Sequence, residues 1–233
     1  MIEKIWSDLR AFDYWPEIGE GTLDTLAMTG CALLFTVLIG LLIGTLLFLT
    51  SASHHSARPS YRRVQVWVYR LLSFAVNVLR SIPFLILLIL IIPATRAMVG
   101  TSLGVRGAIP PLVIASAPFF ARLVESVFRE VEGGVLETCR AIGATTRQTV
   151  WWALLPEASA PLCAAITVTA IALIGYSAMA GVIGGGGLGD LAVRYGYQRF
   201  DTRVMLVTVA VLVLIVQIVQ WGGDRLVARL AHR

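Results

Sequence analysis

The residues best suited to specific chemistry form a polar segment within an otherwise apolar chain. It begins with Glu137-Thr138-Cys139-Arg140-Ala141-Ile142-Gly143 and ends twelve residues later at Leu155-Pro156. The pattern is that of two short helices joined at a glycine, which is longer and more regular than a simple connection. We therefore expect a surface that another protein grips, rather than a group that makes or breaks bonds.

Local signals predict the shape of this segment. Apolar residues at helical spacing predict one small apolar face, made of Val135, Cys139 and Ile142. Gly143 stands where a helix commonly ends in a left-handed residue. Thr145 and Gln148 have the spacing of a capping box, so a second helix is expected near residue 146. Pro156 then fits the start of the next apolar span. The alternative is an amphipathic linker that lies on a membrane.

The composition predicts the kind of protein in which this polar segment lies. Hydrophobic residues make up 57% of the chain and charged residues 14%, and the mean hydropathy is +0.80. A soluble domain of this length needs more polar surface. Several uncharged runs reach the roughly 20 residues that a helix needs to cross a bilayer. The chain is thus predicted to be an all-α, multi-span membrane protein.

Five transmembrane helices are predicted, after an interfacial segment at residues 1–24. The spans are residues 25–49, a second ending at 84–93, 107–121, 158–182 and 204–221. The third contains three prolines, and Pro83, Pro93 and Pro118 are expected to kink their helices. Arg80 lies near or below the start of the second span, where it is expected to snorkel rather than to lie at the bilayer centre. The glycine run 184–189 fits either a flexible hinge or a tight re-entry.

The placement of basic residues predicts the orientation. Eleven lie in the loop after the first span, in the polar segment with its flanks and at the C-terminus, whereas seven lie on the opposite side. Positive residues favour the cytoplasmic side of a membrane. We therefore expect the N-terminus outside, and the polar segment and C-terminus in the cytoplasm.

The energy for any transport must come from elsewhere. A P-loop needs a lysine after its glycine, and Lys4 is the sole lysine of the chain. The five predicted spans contain no carboxylate of the kind that couples carriers to protons. No catalytic or metal-ligating pattern is visible, and the three cysteines are scattered. We expect a protein that is not an enzyme and has no cofactor or metal.

The polar segment resembles the cytoplasmic coupling motif of ABC importer permeases. Glu137, Gly143, Leu155 and Pro156 match that motif, although its usual Glu-Ala-Ala opening reads Glu137-Thr138-Cys139 here. The resemblance implies a type I importer permease fold in residues 25–233, with a coupling loop at 133–156. It implies ATPase-coupling roles for Glu137, Thr138, Cys139, Ala141, Gly143, Leu155 and Pro156.

Further stretches are similar to the permease subunits of methionine importers. These are Arg80-Ser81-Ile82-Pro83-Phe84, Gly175-Tyr176-Ser177-Ala178-Met179-Ala180-Gly181 and the run from Gly186 through Tyr195-Gly196-Tyr197 to Phe200. The resemblance implies import of L-methionine, and of D-methionine as well, across the bacterial inner membrane by alternating access. It places Tyr176, Ser177 and Met179 on the translocation path or its gate.

The resemblance also implies the assembly. Two copies of the permease would pair, two ATP-binding subunits would grip the two loops, and a periplasmic or lipid-anchored methionine-binding protein would deliver the cargo. Membrane lipid would surround the assembly, and nucleic acid has no place in it. Two alternatives stay open at this stage. One is the same architecture with another amino acid or small solute as cargo, and the other is a membrane anchor or sensor that transports nothing.

Overall fold

The computed structural model describes residues 13–51, 59–131 and 133–231, and all regular secondary structure in these ranges is helical. Five helices lie within the described residues 13–51 and 59–131. They are α1 (Trp15–Thr50), α2 (Pro59–Ser81), α3 (Phe84–Leu90), α4 (Ile92–Val99) and α5 (Gly104–Glu130).

The second part begins with the predicted docking segment. It consists of α6 (Gly133–Ala141), α7 (Thr146–Gln148), a π-helical turn (Thr149–Leu154) and α8 (Leu155–Glu157). The remaining elements are α9 (Ser159–Ala180), a 3-10 turn (Gly181–Ile183), α10 (Gly187–Leu191), a second π-helical turn (Ala192–Tyr197) and α11 (Thr202–Ala231).

Within the described ranges, four helices are long and apolar enough to cross a membrane: α1, α5, α9 with its 3-10 extension, and α11. The predicted second span is broken instead of straight. Residues 63–81 of α2 and all of α3 meet at 102°, and together they form the fifth candidate span. Pro83 lies at this break with an extended ψ of 135°. The kink expected there is confirmed, and Arg80 is exposed near the end of α2.

The predicted third span is the most buried of the candidate spans. Residues 107–121 were expected to be interrupted by prolines, but α5 is one helix of 27 residues with Pro110, Pro111 and Pro118 inside it. Two thirds of its most apolar window is buried. Helices packed around a proline can compensate for the lost backbone hydrogen bond. The tertiary contacts of α5 thus outweigh the local effect of its prolines.

Small residues bring α1 and α5 into close contact. A Cβ atom on Gly40 would lie 2.7 Å from Phe120 Cδ1, and one on Gly44 would lie 2.6 Å from the carbonyl oxygen of Ala121. Small residues allow membrane helices to approach this closely. The two helices run in the same direction, because Phe48 near the end of α1 also packs edge-on against Phe128 near the end of α5.

The glycine run forms a packed turn at one end of the bundle. Gly184, Gly186 and Gly187 have φ values of +80°, +77° and +75°. The Leu188 N–H donates to Thr25 Oγ1 at 2.9 Å, and a Cβ on Gly189 would lie 2.3 Å from the carbonyl oxygen of Ala178. Of the two alternatives for this run, the structure therefore favours the tight re-entry. We call this end of the bundle the glycine end, and the opposite one, with residues 133–157, the loop end.

The described chain begins and ends at opposite ends of the bundle. Tyr14 contacts Tyr195 near the glycine end, with ring centroids 5.0 Å apart. In α11, Val204 packs in a cluster with Leu188 of α10, near the glycine end, whereas Gly223 lies against Thr167 of α9, toward the loop end. An odd number of crossings, such as the predicted five, places the two ends of the described chain on opposite sides of the membrane. Residues 15–24 belong to the same helix as the first span, and the interfacial role of 1–24 stays a prediction, since residues 1–12 lie outside the described ranges.

Candidate docking and translocation sites

The predicted glycine corner is present at the end of α6. The Ala144 N–H donates to the Cys139 carbonyl at 2.9 Å and the Gly143 N–H donates to the Arg140 carbonyl at 3.1 Å. These two bonds form a Schellman motif, which needs a left-handed residue at the position of Gly143. Gly143 has φ +73°. The predicted turn at this glycine is confirmed.

The predicted capping box starts the next helix. The Thr145 N–H donates to Gln148 Oε1 at 2.8 Å, and the Gln148 N–H donates to Thr145 Oγ1 at 3.4 Å. Reciprocal bonds of this kind satisfy two backbone donors at a helix start. The corner between α6 and α7 is therefore held on both sides by hydrogen bonds.

Apolar residues attach this corner to the bundle. Leu154 is fully buried in a cluster that contains Phe48 of α1, Phe128 of α5 and Leu162 of α9. Leu136, Val150 and Leu155 pack against the same cluster. Of the predicted apolar face, Ile142 is 76% exposed and Cys139 is half-buried, and it is Leu136 that contacts the core cluster. A displacement of the corner would therefore change its packing against three spans, α1, α5 and α9.

The outer face of the corner is an exposed apolar surface. Trp151 and Trp152 are 63% and 81% exposed, and both lie in the π-helical turn. A shallow groove beside them is lined by Cys139, Ile142, Gly143, Ala144, Gln148, Trp152 and Ala153. Exposed apolar patches with polar rims are typical of protein interfaces. The two tryptophans were missed from the sequence, although an adjacent Trp pair in a polar segment was the available signal.

The residues predicted to couple to an ATPase fall into two groups. Glu137, Thr138, Ala141 and Pro156 are exposed, and Cys139 and Gly143 line the groove. Leu155 instead packs toward the bundle. Of the predicted set, the structure thus brings Cys139 and Gly143 together in one groove, whereas Leu155 lies on the inner side of the segment.

The three predicted path residues on α9 do not share one face. Met179 is 50% exposed, whereas Ser177 is buried and donates to the Ile174 carbonyl at 2.7 Å. Tyr176 is half-buried and stacks on Phe84. The accessible stripe of α9 and the 3-10 turn after it is made of Pro161, Val168, Gly175, Met179 and Val182, which are exposed, and Ala164, which is half-buried. Met179 is the member of the predicted set that lies in this stripe.

Sequence reasoning missed a polar cluster between α2 and α5. Arg122 and Arg129 were among the basic residues counted with the polar segment and its flanks, and Arg70 among those counted with the loop after the first span. The structure places Arg122 and Arg129 in α5 and Arg70 in α2. The helix of the third span also contains Glu125, which is 3% exposed. Glu125 lies in α5 beyond the predicted span 107–121, which itself contains no carboxylate. In the described residues, no three His, Cys, Asp or Glu side chains converge on a possible metal site.

A family model described as the binding-protein-dependent transport system inner membrane component matches residues 55–232. The chain belongs to this family. A methionine import system permease protein of Bacillus subtilis is 44% identical to this chain over 224 residues, which are 96% of each chain. A probable D-methionine transport system permease protein of Vibrio cholerae is 42% identical over 212 residues, 91% of each. The predicted resemblance to methionine-uptake permeases is confirmed.

Solved structures agree with the fold class. The permease matches a chain of an inward-facing MetNI methionine ABC transporter with a TM-score of 0.88 and 43% identity, over 93% of this chain and 97% of that one. A chain of an amino acid ABC transporter shares only 21% identity with a TM-score of 0.76, and it supports the fold alone. The permease thus has the all-α type I importer permease fold.

Proposed function

We propose that this permease imports methionine, L and D, across the bacterial inner membrane. The observation that carries the proposal is the identity of 42% and 44% to relatives named for methionine transport, over more than nine tenths of the chain. The permease supplies the path, and a partner subunit hydrolyses ATP. Transport of another amino acid by the same architecture is the nearest alternative, and a membrane anchor without transport is the more distant one.

The corner at the loop end is the proposed docking site for an ATP-binding subunit. Its exposed groove, its two tryptophans and its hydrogen-bonded turn support this role. Glu137, Thr138, Cys139, Ala141 and Gly143 would meet the partner, with Pro156 at the edge of the contact. Leu155 would transmit force inward, because it packs on the cluster of Leu154.

Two copies of the permease would enclose the translocation path. The accessible stripe on α9 consists mainly of small and branched side chains, which allow helices to pack closely while leaving a narrow passage. Met179 would narrow this passage, because it is the longest unbranched side chain in the stripe. Tyr176 would shape the wall beside it, and Ser177 would contribute through the packing of α9.

The loop end would face the cytoplasm and the glycine end would face outward. Arginine placement supports this orientation, with Arg140 and Arg147 exposed in the docking segment. The N-terminus would then lie outside and the C-terminus inside. A periplasmic or lipid-anchored binding protein would deliver methionine at the glycine end. Closure of two ATP-bound subunits would move the loops and open the path outward, and hydrolysis would reset it.

The test is uptake of labelled L-methionine into proteoliposomes that contain the permease, its co-purifying ATPase and the matching binding protein. Uptake that requires ATP and is reduced by D-methionine supports the class and the cargo. ATP-driven uptake of another solute alone would keep the importer and reject methionine. If no ATPase co-purifies and no solute enters, the anchor or sensor becomes the better interpretation.

A further inference from the structure

One buried carboxylate lies at the centre of a group of polar contacts between α2 and α5. Glu125 is 3% exposed and lies between two arginines of its own helix. Its Oε2 is 2.6 Å from Arg122 and its Oε1 is 2.6 Å from Arg129. We call the cluster of Tyr69, Ser73, Asn77, Arg122, Glu125 and Arg129 the Glu125 bracket.

The arginines, once held by Glu125, reach across to α2. Arg122 donates to the Ser73 carbonyl at 3.1 Å, to Asn77 Oδ1 at 3.0 Å and to the Ser73 hydroxyl. Arg129 donates to the Tyr69 hydroxyl at 3.1 Å, and that hydroxyl donates to Glu125 at 3.3 Å. A single negative charge therefore sets the orientation of two guanidinium groups that would otherwise repel each other.

The bracket is an unusual way to attach a helix in this environment. The other side of α2 is exposed and apolar, with Val64, Trp67, Val68, Leu71 and Phe74. The polar side chains Tyr69 and Ser73 of α2 therefore face α5. Replacing a buried ion pair by apolar residues is often neutral or stabilising, so the bracket is poorly explained by stability alone. What hydrogen-bonded pairs add is a defined register between two helices.

Both helices continue into functional elements. At one end, α5 leads through Val131 into α6, and Phe128 packs in the same cluster as Leu154 of the docking corner. At the other end, α2 leads through the bend at Pro83 into α3, where Phe84 stacks on Tyr176 of α9. The bracket is therefore a polar connection between α5, which leads into the docking segment, and α2, which leads into Phe84 at the start of α3.

We propose that Glu125 is a positioning residue for coupling: it holds Arg122 and Arg129 so that α2 follows α5 when the docking segment moves. This proposal rests on the proposed function, because it needs an ATPase that moves the docking segment. In an assembly without the bracket, the ATPase would still bind and turn over. The movement would reach α5 but would be passed incompletely to α2 and to Phe84.

The experiment uses the full complex in proteoliposomes and measures ATP hydrolysis and methionine uptake in the same vesicles. Glu125→Gln removes the charge and keeps the shape. Glu130→Gln, five residues further along the same helix, is the matched control because Glu130 is exposed. We expect E125Q to lower uptake per ATP by about tenfold. Hydrolysis and the KM for the loaded binding protein should stay near their wild-type values, as should every value for E130Q.

A second variant is needed because E125Q removes the carboxylate partner of Arg122 and Arg129 and leaves their charges uncompensated. In the double variant R122Q/E125Q the buried pair is neutral and the bonds from Arg122 to α2 are weakened, so assembly should persist and uptake per ATP should again fall. An assembled variant of either kind with unchanged uptake per ATP would overturn the proposal, and so would an equal fall in hydrolysis and uptake. Failure of the proposed function is distinguishable, since the wild-type complex itself would then show no ATP-driven methionine uptake.

Discussion

Phe84 and Tyr176 stack face to face, with ring centroids 4.7 Å apart and planes inclined by 17°. Phe84 is the first residue of α3 and Tyr176 lies near the end of α9, so this contact joins the broken second span to the helix with the accessible stripe. Phe84 is buried in a cluster with Met28 of α1 and Leu112 of α5. Four spans therefore meet at this pair.

Replacing Phe84 by leucine should separate α3 from α9 without opening a large cavity. Loss of the aromatic pair should cost about 1 kcal/mol of stability beyond the lost area. The midpoint of thermal unfolding in detergent should fall, and methionine uptake should fall with it. The same substitution at Phe74, which is 69% exposed on α2, is the control. Equal midpoints for the two variants would mean that the stack contributes nothing measurable.

Gly143→Val should strain the docking corner. Nothing lies within 4 Å of a Cβ at this position, so the effect comes from φ +73° alone. A left-handed conformation costs an L-residue about 1–2 kcal/mol, and more for a β-branched one. We expect ATP hydrolysis to persist while uptake per ATP falls.

Gly134→Val is the matched control for the glycine corner, because Gly134 has equally open space and no positive φ. Gly143→Asn should restore part of the coupling, since asparagine tolerates the left-handed region. Normal stimulated uptake by Gly143→Val would contradict the view that this corner works as a rigid lever.

Trp152→Ala should weaken binding of the ATPase without destabilising the permease. The side chain is 81% exposed, so few intramolecular contacts are lost. A buried tryptophan at the centre of an interface commonly contributes about 2 kcal/mol, which is roughly thirtyfold in Kd. The measurement is the amount of ATPase that binds and co-purifies with the variant as the ATPase concentration is increased. Trp67→Ala on α2 should leave this amount unchanged, and an equal loss in both variants would reject the docking assignment.

Met179→Ala should make the assembly leaky to methionine. The side chain lies in the accessible stripe of α9 and is 50% exposed in the single chain. Its removal would widen the closed path without changing the docking segment. Efflux of labelled methionine from loaded proteoliposomes without ATP would measure the leak. Met98→Ala on α4 serves as the control, and unchanged tightness in Met179→Ala would show that this residue is no gate.

Gly44→Leu should disrupt the contact between α1 and α5. A Cβ there would lie 2.6 Å from both the Ala121 carbonyl oxygen and Val124 Cβ, so the helices must separate. Overpacking of this kind costs about 1–3 kcal/mol, and the unfolding midpoint should drop. Gly30→Leu on the same helix meets nothing within 4 Å and should have little effect. A similar drop for both would indicate that the substitution disturbs α1 by itself.

The amino-acid sequence by itself determined the features that depend on neighbours close in the chain. The apolar runs determined the helical membrane class and the number of crossings. The glycine corner at Gly143 and the capping box of Thr145 and Gln148 were predictable, because each is closed by hydrogen bonds over at most five residues. Likewise, Pro83 kinks the second span because a proline lacks the N–H that a continuous helix needs.

Only the tertiary structure decided the features that depend on distant partners. Ser73 and Arg122 are 49 residues apart, so no local pattern could reveal the Glu125 bracket. Cys139 and Ile142 share one side of the docking segment, as their spacing predicts, but only the fold decided that Leu136 packs on the core cluster while Ile142 is exposed. The glycine run became a tight turn because Thr25 and Ala178 leave no room beside it. Burial and pairing are properties of the assembled bundle, and they select among the conformations that the local sequence allows.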